Sequence, residues 1–105
     1  MDAHREGDAL VVRREGELDH CAAEALRGEL EALLRDTSIA RLHLDFGNVS
    51  FMDSSGVGFV IGRYKTMAAR GGSVSASGLR APVDRLFRMG GLHRIVTITE
   101  GQGGV

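Results

Sequence analysis

The sequence predicts an α/β domain: a small mixed, largely parallel sheet with helices packed on one face, in the order β(β)αβαβαβ. Three observations predict it. Short β-branched or alternating runs take turns with stretches whose apolar residues recur at helical spacing; that succession implies parallel strands joined by crossover helices. Leu42, Leu44 and Phe46 alternate strictly with Arg41, His43 and Asp45. Such a strand has one buried and one wet face, whereas helices on both faces would require strands apolar on both. Finally, 105 residues build one core and no more, with roughly 65% of the extended chain's surface buried at this size.

The elements follow in order. Ala9-Leu10-Val11-Val12-Arg13-Arg14 is β-branched and short, and Glu6-Gly7-Asp8 before it reads as a tight turn from an earlier, antiparallel strand. Gly16 marks a kink or bulge before Glu17-Leu18. Asp19 is a good N-cap for a helix over about residues 20 to 35, with Ala22, Ala25, Leu26, Leu30, Leu33 and Leu34 as its stripe. The alternating strand Ile39 to Phe46 comes next, then a loop from Gly47 to Asp53. A second helix carries Val57, Val60, Ile61, Tyr64, Met67 and Ala68 on one stripe; Arg63, Lys65 and Arg70 suit its C-terminal half, and Gly71-Gly72 end it. Ser73 to Ser77 alternates again. Pro82 fits the first turn of a third helix, with Val83, Leu86 and Phe87 as its stripe and Gly90-Gly91 as its stop. Ile95 to Thr99 is the last strand. Residues 1–100 form the single domain and the Gly-rich run 101–105 a flexible tail.

Composition narrows the function. Thirteen Lys and Arg against fourteen Asp and Glu give no clustered cationic excess to drive binding of nucleic acid or an anionic membrane. One cysteine forbids an internal disulfide and fits a reducing cytoplasm. Catalytic motifs are missing. Gly56 to Gly62 is one residue too long for G-x-G-x-x-G and lies inside a helix; neither a Walker-type cradle nor a G-x-S-x-G elbow occurs. His4, His20, His43 and His93 are scattered, so no metal site and no cofactor is expected. Cys21 reads as a small, partly buried residue of a first helical turn, and Met52, Met67 and Met89 as core filler.

The informative segment is Asp53-Ser54-Ser55-Gly56-Val57-Gly58. Three capping residues stand together where one would do. Gly56, Gly58 and Gly62 then fall within the first turns of a helix, where each costs about 1 kcal/mol relative to Ala. One reading is an ordinary N-cap with close packing against a strand. The other is a smooth face beside an exposed hydroxyl, approached by another protein's surface. A phosphoserine at Ser54 or Ser55 would add about −1.5 to −2 charges where a helix N-terminus tolerates them. The fold would survive, but docking on that face would change.

The run Phe51-Met52-Asp53-Ser54-Ser55-Gly56-Val57-Gly58, continued by Ile61-Gly62-Arg63-Tyr64-Lys65, resembles the anti-sigma factor antagonists of the STAS superfamily, and among them the branch that acts on anti-sigma F factors in sporulation. Gly16-Glu17-Leu18-Asp19-His20 and Val83-Asp84-Arg85-Leu86-Phe87-Arg88-Met89-Gly90-Gly91-Leu92 support it. The resemblance implies a STAS-like fold and a non-enzymatic, cytoplasmic, partner-switching protein. Unphosphorylated, it would bind an anti-sigma factor with serine kinase activity and free a sigma factor for transcription. Phosphorylation of Ser54 would release it, and a PP2C-type phosphatase would reset it. The expected partner surface is Asp19, His20, Asp53, Ser54, Ser55, Gly56, Gly58 and Gly62, on a chain that is monomeric when free. The alternative within the fold is a non-phosphorylated scaffold or adaptor of the stressosome or lipid-transport type. Family members commonly close with a further helix, where this sequence has Glu100 and the Gly-rich run.

Overall fold

The computed structural model describes residues 1–100; the tail expected over 101–105 lies outside them. Five strands and three helices alternate: β1 (Asp2–Glu6), β2 (Ala9–Leu18), α1 (His20–Leu33), β3 (Arg41–Met52), α2 (Ser54–Ala68), β4 (Ser73–Ser77), α3 (Ala81–Met89) and β5 (Thr97–Thr99). The sheet order is β1-β2-β3-β4-β5. β1 is antiparallel to β2, and all later neighbours are parallel. Gly7, at φ +64°, takes the first place of the two-residue β1–β2 turn, where a positive φ is needed.

Because the parallel strands follow one another in space as in sequence, crossovers of one hand bring every helix to the same face. α1 packs on β2 and α2, α2 on β3 and β4, and α3 on β3. The core is the layer between: Leu10, Val12, Leu42, Leu44, Phe46, Val74 and Ala76 from the sheet meet Leu26, Leu30, Val60, Met67, Val83 and Phe87 from the helices. Phe46 and Phe87 meet edge to face at 6.3 Å, a favoured aromatic geometry. The other sheet face is polar but not all wet as expected: Asp45 and Ser77 there are buried. There His43 sits across β4, its Nδ1 2.7 Å from Ser75 Oγ and its Nε2 2.9 Å from Ser77 Oγ. Burial lowers the pKa of His43, Asp45 opposing.

Several expectations need correcting. The predicted loop from Gly47 is strand: β3 runs on to Met52. Between the paired residues Arg13↔Asp45 and Leu18↔Met52, β2 advances five residues and β3 seven. Two bulges absorb the difference, and each flips the in–out alternation on which strand recognition depends. Gly16, at φ +81°, lies beside one of them, as its place in the sequence suggested. The last strand is shorter than predicted, because a 3-10 turn over Leu92–Arg94 takes Ile95 as its cap and Val96 bonds back to Leu92. Arg70 does not serve the end of its own helix. Its Nη2 donates to Leu34 O at 2.6 Å, beyond the end of α1. Cys21 is exposed and so is Met89, while Met52 and Met67 are buried as expected. No described helix is long and apolar enough to cross a membrane.

Candidate functional site

Two helix N-termini meet at one edge of the sheet. β2 and β3 are parallel neighbours that end in register at Leu18 and Met52, so the chain turns into α1 and α2 side by side. Each turn is fixed by an aspartate in extended conformation. Asp19 Oδ1 accepts from Ala22 N at 3.0 Å and Asp53 Oδ1 from Ser55 N at 2.9 Å. These bonds satisfy donors that a helix start leaves open. His20, the first residue of α1, reaches across: its Nδ1 lies 3.4 Å from Ser55 Oγ.

Ser54 is the first residue of α2 and is exposed. Since Asp53 supplies the cap, the Ser54 hydroxyl is not needed for it and has no hydrogen bond to a described residue. Ser55 is half-buried against His20. The two serines, alike in sequence, are therefore unlike in space.

The three glycines also divide. Gly58 faces open space, with nothing within 4 Å of where a Cβ would stand, and the same holds for Gly62. Neither is explained by packing on a strand. Gly56 is the opposite. It is buried, and a Cβ there would collide with Cγ of Met52 and lie 3.4 Å from Leu18 Cδ2. Gly56 thus drops out of the expected exposed surface, because the inner face of α2 starts there and continues through Phe59, Val60, Arg63 and Met67. This stripe is rotated from the predicted one; Val57, Ile61 and Tyr64 lie at its margin and Ala68 is exposed. The two kinds of glycine should separate experimentally. Gly58→Ala is expected to raise stability by about 1 kcal/mol, the helix-propensity difference. Gly56→Ala is expected to lower it by about 1–2 kcal/mol through overpacking. Urea unfolding midpoints of the two variants check both signs.

Among the described residues no three His, Cys, Asp or Glu side chains cluster as metal ligands would. The arrangement can do two things. It offers an exposed hydroxyl on a helix N-terminus, and Gly58 and Gly62 leave part of the α2 surface without side chains.

Known proteins share this architecture. An anti-sigma F factor antagonist of Paenibacillus polymyxa is 35% identical over 102 residues, which span 97% of this chain and 86% of that protein. An anti-sigma-B factor antagonist of Bacillus subtilis is 33% identical over 106 residues, covering 100% and 95%. Among solved structures, the anti-sigma factor antagonist SpoIIAA in its unphosphorylated form superposes with a TM-score of 0.78 at 26% identity, covering 96% of this chain and 88% of that one. The Bacillus cell fate determinant SpoIIAA in its phosphorylated form gives 0.79 at 27% identity, covering 98% and 92%. The STAS domain matches residues 1–101, and with these relatives the conclusion is that the chain belongs to the STAS-domain family of anti-sigma factor antagonists.

Proposed function

We propose that the chain is a cytoplasmic, phosphorylation-controlled partner switch. Unphosphorylated, it binds an anti-sigma factor that is also a serine kinase, and so releases a sigma factor for transcription, in the manner of the sporulation system. The kinase phosphorylates Ser54, the phosphorylated chain lets go, and a PP2C-type phosphatase restores it. The chain is substrate and ligand here, not catalyst. The observation that carries this reading is the exposed, unbonded hydroxyl of Ser54 on a helix start already capped by Asp53. Ser55, its neighbour, is turned to His20. That SpoIIAA, a structural neighbour, has been solved in a phosphorylated form adds support.

The test is to mix the chain with the anti-sigma factor of its own organism and ATP. Intact mass should show one added phosphate, and peptide mapping should put it on Ser54. Phosphate on Ser55 or Ser73, or none at all, would sink the reading; none at all would favour an unphosphorylated scaffold.

Asp19 and His20 belong to the same surface. Asp19→Arg is expected to weaken binding of the anti-sigma factor by reversing a charge beside the switch. The lost cap costs only about 1 kcal/mol, so the domain stays folded. Calorimetric titration alongside a thermal melt separates the two effects.

A further inference from the structure

Ser54 and Ser55 are adjacent, carry the same hydroxyl and stand in the same first turn of α2. Local chemistry therefore does not choose between them as phosphate acceptors. What separates them is a contact from the neighbouring helix. Ser55 Oγ lies 3.4 Å from His20 Nδ1, while the Ser54 hydroxyl has no hydrogen bond to a described residue.

The place of His20 is built into the fold. Leu18 and Met52 are paired where β2 and β3 end. Asp19 and Asp53 then cap the two helices, so His20 follows one cap as Ser54 and Ser55 follow the other. Gly56 completes the approach: with no Cβ, it lets the first turn of α2 settle onto Met52 and Leu18. Ser55 is thereby half-buried and Ser54 exposed. The backbone N–H of Ser55 is held as well, donating to Asp53 Oδ1 at 2.9 Å.

We infer that His20 is the positioning residue that restricts phosphorylation to Ser54, by holding the Ser55 hydroxyl against α1. The inference rests on the partner-switch reading and deepens it. In the transfer, a serine Oγ attacks the γ-phosphorus of ATP. An Oγ–P bond forms as the bond to ADP breaks, and the hydroxyl proton passes to a base of the kinase. The attacking oxygen must point along that line. Ser54 Oγ has no bond to give up first, whereas Ser55 Oγ has to leave His20. One net hydrogen bond of this kind corresponds to about three- to tenfold in rate.

The experiment is partial reaction with the purified anti-sigma factor of the same organism and ATP, followed by peptide mapping. Three chains are compared: unmodified, His20→Ala and His20→Asn. The readout is the ratio of phosphate on Ser55 to phosphate on Ser54. Both acceptors belong to one molecule, so a change in affinity for the kinase cancels from the ratio. His20→Ala should raise it about three- to tenfold. The Asn amide can take over the bond that Nδ1 makes, so His20→Asn should keep the ratio within about twofold. Thermal melts of the three should agree, because His20 is exposed and Asp19 keeps the cap. No rise in Ser55 phosphate with His20→Ala overturns the inference and leaves the partner-switch reading standing. An equal rise with His20→Ala and His20→Asn also overturns it, since the ring and not its hydrogen bond would then be what shields Ser55. No phosphate on any chain, or phosphate mainly on Ser55 of the unmodified chain, overturns the partner-switch reading and the inference with it.

Discussion

Ser54→Asp is expected to bind the anti-sigma factor about a hundredfold more weakly than the unmodified chain, while its unfolding midpoint stays unchanged. Inside the domain the new charge meets small terms. A helix N-terminus favours an anion by about 0.3–1 kcal/mol when exposed, and Asp53 next to it opposes by a similar amount. Neither matters beside the roughly 5–15 kcal/mol that holds a domain together. No Arg or Lys lies between residues 50 and 58 to draw the charge into a new contact. At a close-packed interface the balance differs. A desolvated, unpaired carboxylate or phosphate costs several kcal/mol, and each 1.4 kcal/mol is about tenfold in affinity. Ser54→Ala, which can take no phosphate, should bind constitutively in the presence of ATP. Release would then be steric and electrostatic rather than conformational. Amide chemical shifts decide it: on phosphorylation, changes should stay within about residues 50 to 62 and the facing His20. Shifts spread through the rest of α1 and β5 would mean that the domain itself has two states.

Much of this could be read from the chain, and the misses share a cause. Where side chains obey a local period, as in Leu42 to Phe46 or Ser73 to Ser77, the predicted apolar residues are the ones in the core, although Asp45 and Ser77 on the polar face are buried too. The predicted loop at Gly47 failed because two bulges break the period inside one continuous strand, a choice made by pairing with β2 and invisible in β3 alone. At the site, Asp53 and Asp19 as caps were legible, since capping is local chemistry. So was the meeting of the two helix starts, which follows from parallel strand order. The split between Gly56 and Gly58 was not, because it depends on which side of α2 faces Met52. An apolar count around the helix misplaced that side by including Ile61 and Tyr64 and leaving out Phe59 and Arg63. A charged residue carries no apolar signal, so no periodicity argument could put it in the core.

Arg63 leads to the second large expected effect. Only 5% of the residue is exposed, and its Nε and Nη1 are buried without hydrogen-bond partners. Nη2 lies 3.9 Å from Glu31 Oε2, but that oxygen is nearer to Arg27 Nη1, at 3.0 Å. The guanidinium stands 5.1 Å above the Phe59 ring, a cation–π contact worth about 0.5–2 kcal/mol. Burial pulls the Arg63 pKa down, Glu31 pushes it back up, and Arg27 adds repulsion. An arginine keeps its proton nonetheless, so the domain holds an incompletely paired cation between α1 and α2. Each unsatisfied donor group costs about 1–3 kcal/mol, and replacing such a buried ion with an apolar side chain of similar length is neutral or stabilising by about 1–4 kcal/mol. Arg63→Met is therefore expected to raise stability by about 2 kcal/mol, or about 10 °C in the unfolding midpoint for a domain of this size. Arg63→Ala should gain less, because the removed side chain leaves a cavity. Glu31→Gln supplies the control. It removes the carboxylate that offsets the buried charge, so it should destabilise the unmodified chain by about 1 kcal/mol. In the Arg63→Met background it should cost only the exposed Arg27 pair, a few tenths of a kcal/mol. A fall in the melting midpoint of Arg63→Met would mean that the guanidinium is fully satisfied in solution, and equal costs of Glu31→Gln in both backgrounds would remove Glu31 as its partner.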